Sequence, residues 1–306
     1  MTFKHYSVLL TETIDVLNVK AGGLYIDGTT GGGGHSAEIA NRGGRLVCFD
    51  RDSEAITAAA ARLAPYPDVV FVKDNFSNAG KHLSSLGITE IDGAVLDLGV
   101  SSRQLEGDRG FSFHEDAPLD MRMSHEGMTA ADVVNTYQAD ELTRILFSYG
   151  EEKYARGIVA GIVSYRETKP IETTLELAEI IKRNVPLSYR NDKHPCRKSF
   201  MALRIEVNAE LDSLKQGLDT LLSLLKVGGR LAVITFHSLE YDIVTKKFRD
   251  ISRSCTCPPG LPACACGGVK KYDLVNRKPI LPSAAELEEN IRSRTAKLRC
   301  IERSAP

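Results

Sequence analysis

Four carboxylates end four short apolar runs. Asp27 follows Leu24-Tyr25-Ile26, and Asp50 follows Arg45-Leu46-Val47-Cys48-Phe49. Asp74 follows Val69-Val70-Phe71-Val72-Lys73, and Asp97 follows Gly93-Ala94-Val95-Leu96. After Asp27 comes Gly28-Thr29-Thr30-Gly31-Gly32-Gly33-Gly34-His35-Ser36, where four consecutive glycines open onto a helical pattern. Such a loop brings backbone N–H groups close to a ligand, because no Cβ holds the ligand away. The chemistry is not that of a phosphate loop. No Gly-Lys-Ser/Thr follows, the spacing is not G-x-G-x-x-G, and Asp27 suits a cationic amine better than a pyrophosphate. Asp50 lies about 20 residues beyond the loop, where nucleotide-binding α/β folds place the acid that accepts from ribose hydroxyls. An amine-bearing adenosine meets these demands together, and S-adenosylmethionine is the natural occupant.

The elements that position these residues read as repeated β–α units. Four strands with polar residues at their carboxyl ends, Asn75-Phe76 after the third among them, describe a doubly wound α/β sheet with a ligand crevice at those ends. The next clear strand, Gly229–Phe236, comes about 130 residues later, far beyond a crossover connection. A long loop from Ser101 to about Gly127 occupies part of this interval. The helical period then appears three times. Val133, Val134, Tyr137, Leu142, Ile145, Leu146 and Tyr149 fit one face, and Tyr154, Ile158, Ile162 and Tyr165 a second. A capping box, Thr173-Thr174-Leu175-Glu176, opens the third, which runs to Arg183 before Pro186. The expectation is a small α-helical domain of residues 106–195 inserted into a sheet domain of residues 1–105 and 196–306. The sheet domain resumes as a long helix from about Phe200 to Leu225, and weak β signals at Leu274-Val275 and Leu298–Ile301 predict a closing antiparallel hairpin.

At 306 residues and 42% hydrophobic content the chain can bury one large core and a smaller one. No apolar run approaches the roughly 18 residues of a membrane span, and no signal-peptide pattern opens the chain. Seven cysteines, an odd number, point to a reducing cytosol. The net charge of −1 hides an asymmetry. Residues 1–181 carry 16 Lys/Arg against 27 Asp/Glu, and residues 182–306 carry 23 against 13. Lys182, Arg183, Arg190, Lys193, Arg197, Lys198 and Arg204 are opposed locally by Asp192 alone, a footprint suited to a polyanion unless the charges neutralise one another across the fold. Cys255, Cys257, Cys264 and Cys266 fall within twelve residues and could hold a structural Zn²⁺, although Cys-x-Cys is a poorer bite than Cys-x2-Cys. Whether they do is left open.

From Asp27-Gly28-Thr29 to His35-Ser36, the chain resembles the first motif of the bacterial methyltransferases that act on N4 of a cytidine in small-subunit ribosomal RNA. The resemblance continues through Asp97-Leu98-Gly99-Val100-Ser101-Ser102, Gln104-Leu105, Arg109–Phe113 and Pro118–Met123. It extends over Tyr149–Glu152, His194-Pro195, Ala202–Ile205, Thr235–Glu240 and Arg292–Arg299, so it covers nearly the whole chain. Gly28 and Gly32 sit at variable positions of that pattern. Tyr241-Asp242 stands where Asp-Arg is usual, and Ile291 replaces a usual proline. The resemblance implies a Rossmann-like class I methyltransferase sheet, S-adenosylmethionine as cofactor, and a cytidine in the decoding region of 16S ribosomal RNA as target. It implies cofactor contacts from Gly33, Gly34, His35, Asp50, Phe76, Asp97 and Gln104. Small-subunit ribosomal RNA within an assembled or assembling subunit is the implied partner, in the cytoplasm and away from membranes. A homodimer stays open.

A sulfonium methyl is already activated, so the enzyme must align and activate a nucleophile. The N4 amine of cytosine is a poor one, and acceptors that draw on its protons improve it. Asp97, with the carbonyls of Leu98 to Ser101, stands where amino-methyltransferases place such acceptors, but the Pro-Pro-Tyr form of that motif is missing. A purely cofactor-binding Asp97 weighs about equally. His35 and His237 are alternative bases that read more readily as loop and helix-cap residues. Phe111 and Phe113 are candidates to stack on the target base. Two other functions fit the same residues: methylation of a different acceptor, such as DNA or protein, and a non-catalytic RNA-binding module with a degenerate cofactor pocket.

Overall fold

The computed structural model describes residues 7–101, 104–105, 107–192, 194–253 and 269–305. The chain divides into a sheet unit, residues 1–99 and 212–306, and a helical unit, residues 100–211.

Among the described residues the sheet unit holds seven strands: β1 (Leu24–Asp27), β2 (Arg45–Asp50), β3 (Val69–Lys73), β4 (Ile91–Asp97), β5 (Leu225–Thr235), β6 (Tyr272–Leu274) and β7 (Lys297–Arg303). Their order is β3-β2-β1-β4-β5-β7-β6. The first five pair in parallel, while β7 runs antiparallel to both β5 and β6. Successive side chains along the central strands go to opposite cores. Ile26, Val47, Phe49, Leu96 and Val233 meet Leu83, Leu218, Leu221 and Phe248 on one face. Tyr25, Leu46, Cys48, Val95, Ala232 and Ile234 meet Ile14, Leu17, Ile39 and Leu63 on the other. A strand buried on both sides reads as a continuous apolar run, which is why the sequence showed these strands without alternation. The chain reverses at β1, and the crevice at that switch point holds the Gly28–Gly34 loop.

The helical unit departs from expectation in three places. The first helical period is broken: Tyr137 and Gln138 are extended between helices Ala130–Thr136 and Ala139–Ser148, though its apolar residues are buried as expected. The run from Phe200 to Leu225 is also two helices, Cys196–Asn208 and Glu210–Leu224, because Ala209 adopts φ +47°. The third concerns the domain boundary. Helix Cys196–Asn208, placed with the sheet domain by the sequence, belongs to the helical unit, where Phe200, Ala202 and Leu203 join the core of Leu142, Ile158 and Leu177. Helices Ala155–Arg166 and Thr174–Arg183 lie where the pattern put them. Thr173 and Glu176 close the expected capping box.

The stretch Arg109–Met123 crosses this unit as a pinned loop. Asp120 holds Arg122 through two contacts of 2.7 and 2.9 Å, and Arg122 Nη1 donates to the carbonyls of His125 and Gly127. The buried amide of Asn208 donates to Met121 O and accepts from Met123 N, each at 2.8 Å. These residues of the second motif build the loop.

Candidate functional site

Three carboxylates of the sheet unit converge around the glycine loop. Asp27 ends β1 fully buried, accepting from Ser36 Oγ at 2.6 Å and Thr29 N at 3.2 Å. Burial pushes its carboxyl up to about 6, against the hydrogen bonds from Ser36 and Thr29. Asp50 ends β2. Its Oδ2 accepts from Gly31 N and its Oδ1 from Asp52 N, and burial raises its pKa despite these bonds. Asp97 ends β4, and its backbone N–H donates to Thr29 Oγ1 at 2.6 Å. Thr29 thus ties the ends of β1 and β4 together, a role no sequence signal announced.

Asp97 is the outlier. Burial lifts its carboxyl well above the ordinary range, and Asp27, Glu240 and Glu286 add to the effect. The side chain is 23% exposed. Even so, Oδ1 is covered and has no hydrogen-bond partner among the described residues. A buried polar atom left so costs on the order of 1–3 kcal/mol, which a ligand's donor would relieve. His35 Nδ1 lies 4.0 Å from Asp97 Oδ2, and His35 Nε2 is 3.1 Å from Val8 O. A carbonyl only accepts, so that second contact puts a proton on Nε2.

Glu240 and Glu286 are functional candidates that the sequence reading did not assign. Glu240 Oε2 accepts from the N–H groups of Phe236 and His237, capping helix Ser238–Ile251, and its Oε1 stands 3.1 Å from His237 Nε2. His237 is therefore a helix-start residue, the plainer of its two readings. The pattern Thr235–Glu240 could have flagged the cap. Glu286, nearly 190 residues from Asp97 in the chain, left no signal. Where Asp-Arg is usual, Tyr241 carries the Lys297 ammonium over its ring at 4.4 Å.

Phe76 stands after β3 on a short turn capped by Asn75, whose Nδ2 donates to Ser213 Oγ. Its ring lies against helix Glu210–Leu224 at Gly217, where an added Cβ would come within 2.4 Å. Gly28 is equally confined, by Leu96 Cδ2 at 2.4 Å and Phe76 Cβ at 3.0 Å. Gly33 needs its glycine for φ +74°. A cavity of about 670 Å³ reaches Gly34 and Glu286 from another side, through Ser7, Glu38, Arg62 and Tyr66, but Asp27, Asp50 and Asp97 do not line it.

Residues 2–304 match the MraW methylase family. The chain belongs to that family. Among curated relatives, ribosomal RNA small subunit methyltransferase H 2 of Agathobacter rectalis is 51% identical over 312 residues, covering 99% of each chain. Ribosomal RNA small subunit methyltransferase H of Carboxydothermus hydrogenoformans is 51% identical over 307 residues, again 99% of each, and that of Clostridium botulinum strain Kyoto is 50% identical over 304 residues.

For this MraW methylase family member, the structure brings Gly33, Gly34, His35, Asp50, Phe76 and Asp97 into one unit. Gln104 belongs to the helical unit, where its buried Oε1 accepts from Ser101 N at 2.9 Å. Of the predicted stacking rings, Phe111 is 7% exposed within the helical core and is not available to a base, whereas Phe113 is half-buried. The aromatic, pinned character of the loop sent Phe111 inward. The basic residues also separate. Arg204 is held by Glu210 at 2.8 and 2.9 Å, so it leaves the set of polyanion contacts. Arg183 pairs with Glu179, Arg190 donates to Val185 O, and Lys198 Nζ donates to Glu151 O. Arg197 is exposed and Lys182 half-exposed. Lys193 and Cys255, Cys257, Cys264 and Cys266 lie outside the described residues.

Proposed function

We propose that this chain transfers the methyl group of S-adenosylmethionine to the exocyclic N4 of a cytidine in the decoding region of 16S ribosomal RNA, acting in the cytoplasm on an assembled or assembling small subunit. The observation that carries the reading is the electrostatically crowded carboxyl of Asp97 beside the glycine loop, whose buried Oδ1 has no hydrogen-bond partner among the described residues. Three carboxyls around the glycine loop favour a cation, and S-adenosylmethionine brings both an ammonium and a sulfonium. The names of the curated relatives support ribosomal RNA as the substrate. In this reading the amino-acid end of the cofactor lies at Gly33, Gly34 and His35, its ribose on Asp50 and its adenine beside Phe76, with Gln104 contributing as the resemblance implies. Asp97 accepts from the N4 amine, and the helical unit recognises the RNA. Mass mapping of 16S ribosomal RNA from a deletion strain should show one cytidine lacking its N4 methyl group, restored by the purified chain with labelled S-adenosylmethionine. Intact methylation in that strain would exclude the function.

The crowded carboxyls make a pH prediction. Burial pushes the Asp27 carboxyl up to about 6 and raises that of Asp97, so both hold a proton more readily in the ligand-free chain than an ordinary carboxyl does. A folded pKa above the unfolded one means their stabilising contribution is complete at low pH and is lost as pH rises through those values. A bound cation reverses the preference. Affinity for S-adenosylmethionine should therefore rise as pH passes upward through about 6, with protons released on binding. S-adenosylhomocysteine, which lacks the sulfonium charge, should show a weaker dependence. Calorimetry in two buffers of different ionisation enthalpy reads the proton count, and a count of zero at about pH 6 would contradict this account.

A further inference from the structure

The helical unit carries a ring cluster that the cofactor site does not use. Phe113 and His194 stack at 4.3 Å between centroids with their planes 21° apart. His114 meets both, at 4.5 Å from Phe113 and 5.2 Å from His194. Phe200, which is 3% exposed, braces Phe113 edge-on from the core at 5.4 Å. The cluster grades from buried Phe200, through half-buried Phe113 and His194, to exposed His114. Backbone bonds fix the carriers. His194 O accepts from Arg197 N at the start of helix Cys196–Asn208, and Thr174 Oγ1 donates to Glu115 O while accepting from Ala117 N.

The electrostatic setting is mixed. Burial lowers the His194 pKa, and the charges of His114 and Lys182 lower it further, so its ring is neutral at pH 7. Lys182 is thus close by, and exposed Arg197 follows His194 three positions on. Glu115 and Asp116 flank the outer side along the chain. Half-buried and exposed rings with cations nearby suit an unpaired base, whose π-face stacks whatever its identity while the adjoining phosphates meet the cations.

We propose that Phe113, His114 and His194 form a stacking platform for one unpaired base of single-stranded RNA, with Lys182 and Arg197 meeting the neighbouring phosphates. The inference rests on the reading of the chain as an RNA methyltransferase and adds a second contact on the same substrate.

The test uses the full chain and a short single-stranded RNA in which 2-aminopurine replaces one base, followed by anisotropy and by fluorescence quenching. His114→Ala and His194→Ala should each weaken binding roughly 5- to 50-fold and reduce the quenching, the scale for one lost stacking contact. His194→Phe keeps a ring and should bind within about threefold of the parent. Arg197→Ala should lower the salt slope by about one unit and leave quenching in place. Affinity for S-adenosylmethionine and the melting temperature should stay at parent values in His114→Ala, which removes an exposed ring. RNA binding unchanged in both alanine variants would overturn the platform and leave the rings as packing alone. An equal loss in His194→Phe and His194→Ala would overturn it too, because it would make the contact polar. Methyl transfer by the parent chain is measured alongside. Its absence would strike the underlying function, whereas its presence with unaffected variants would strike the platform only.

Discussion

Replacing Asp97 with Asn should reduce methyl transfer at saturating S-adenosylmethionine by roughly 10²-fold or more, the scale of a lost acid–base or electrostatic contribution. The substitution keeps the shape at the end of β4 and the backbone bond to Thr29 Oγ1, so the strand end should hold. What disappears is the charge and one of the two acceptor oxygens, which weakens the acceptor. Asp97 Oδ1 is buried with no hydrogen-bond partner among the described residues, and an N4 amine is the kind of donor it lacks. Burial and the charges of Asp27, Glu240 and Glu286 raise the pKa of this carboxyl, and a sulfonium nearby would lower it again. The parent rate should accordingly rise with pH until Asp97 ionises, and the Asn variant should lose that rise. Single-turnover measurements separate chemistry from product release. If saturating cofactor restored the single-turnover rate, Asp97 would be a binding group and the acceptor would be sought among the carbonyls of Leu98 to Ser101.

Asp50→Ala should weaken cofactor binding by about 1.5–3 kcal/mol, the range for lost hydrogen bonds to a charged group, or roughly 10- to 150-fold in Kd. The structure adds a reason for the upper end. Asp50 Oδ2 accepts from Gly31 N and Oδ1 from Asp52 N, so the same carboxylate that would take the ribose also fixes the glycine loop and the start of helix Ser53–Leu63. Asp50→Asn keeps one oxygen acceptor and should fall between parent and Ala. Calorimetry that finds parent affinity in the Ala variant would remove the ribose assignment.

The sheet was legible because its physics is local. Strands buried on both faces are continuous apolar runs, and each acid at a carboxyl end marked a strand boundary to within a residue or two. The glycine loop was legible for a similar reason, since Gly33 at φ +74° and the confined Gly28 leave little choice of residue. The breaks at Tyr137–Gln138 and Ala209 were not legible. Neither carries a proline or glycine, so no local signal marks the extended Tyr137-Gln138 pair or the φ of +47° at Ala209. The boundary at 195/196 failed for the same reason, because Phe200 and Leu203 have an apolar spacing that any core could take. In the site, residues adjacent to a motif glycine were recoverable. Glu240, Glu286 and Gly217 act through space on Asp97 and Phe76, and spacing along the chain does not encode that.

The late arrival of β5 has a consequence for biosynthesis. β4 ends at Asp97 with β1 on one side, and its other neighbour does not begin until Leu225. At about 5–20 residues per second, a ribosome leaves that apolar edge bare for roughly 6–25 s. The intervening segment is helical and rich in short-range contacts, so it can collapse while the half-built sheet waits. An open edge of Ile91–Asp97 is a template for pairing with a second nascent chain. Variants that slow β5 should therefore show their damage first as aggregation during synthesis, before any loss of stability in the finished protein.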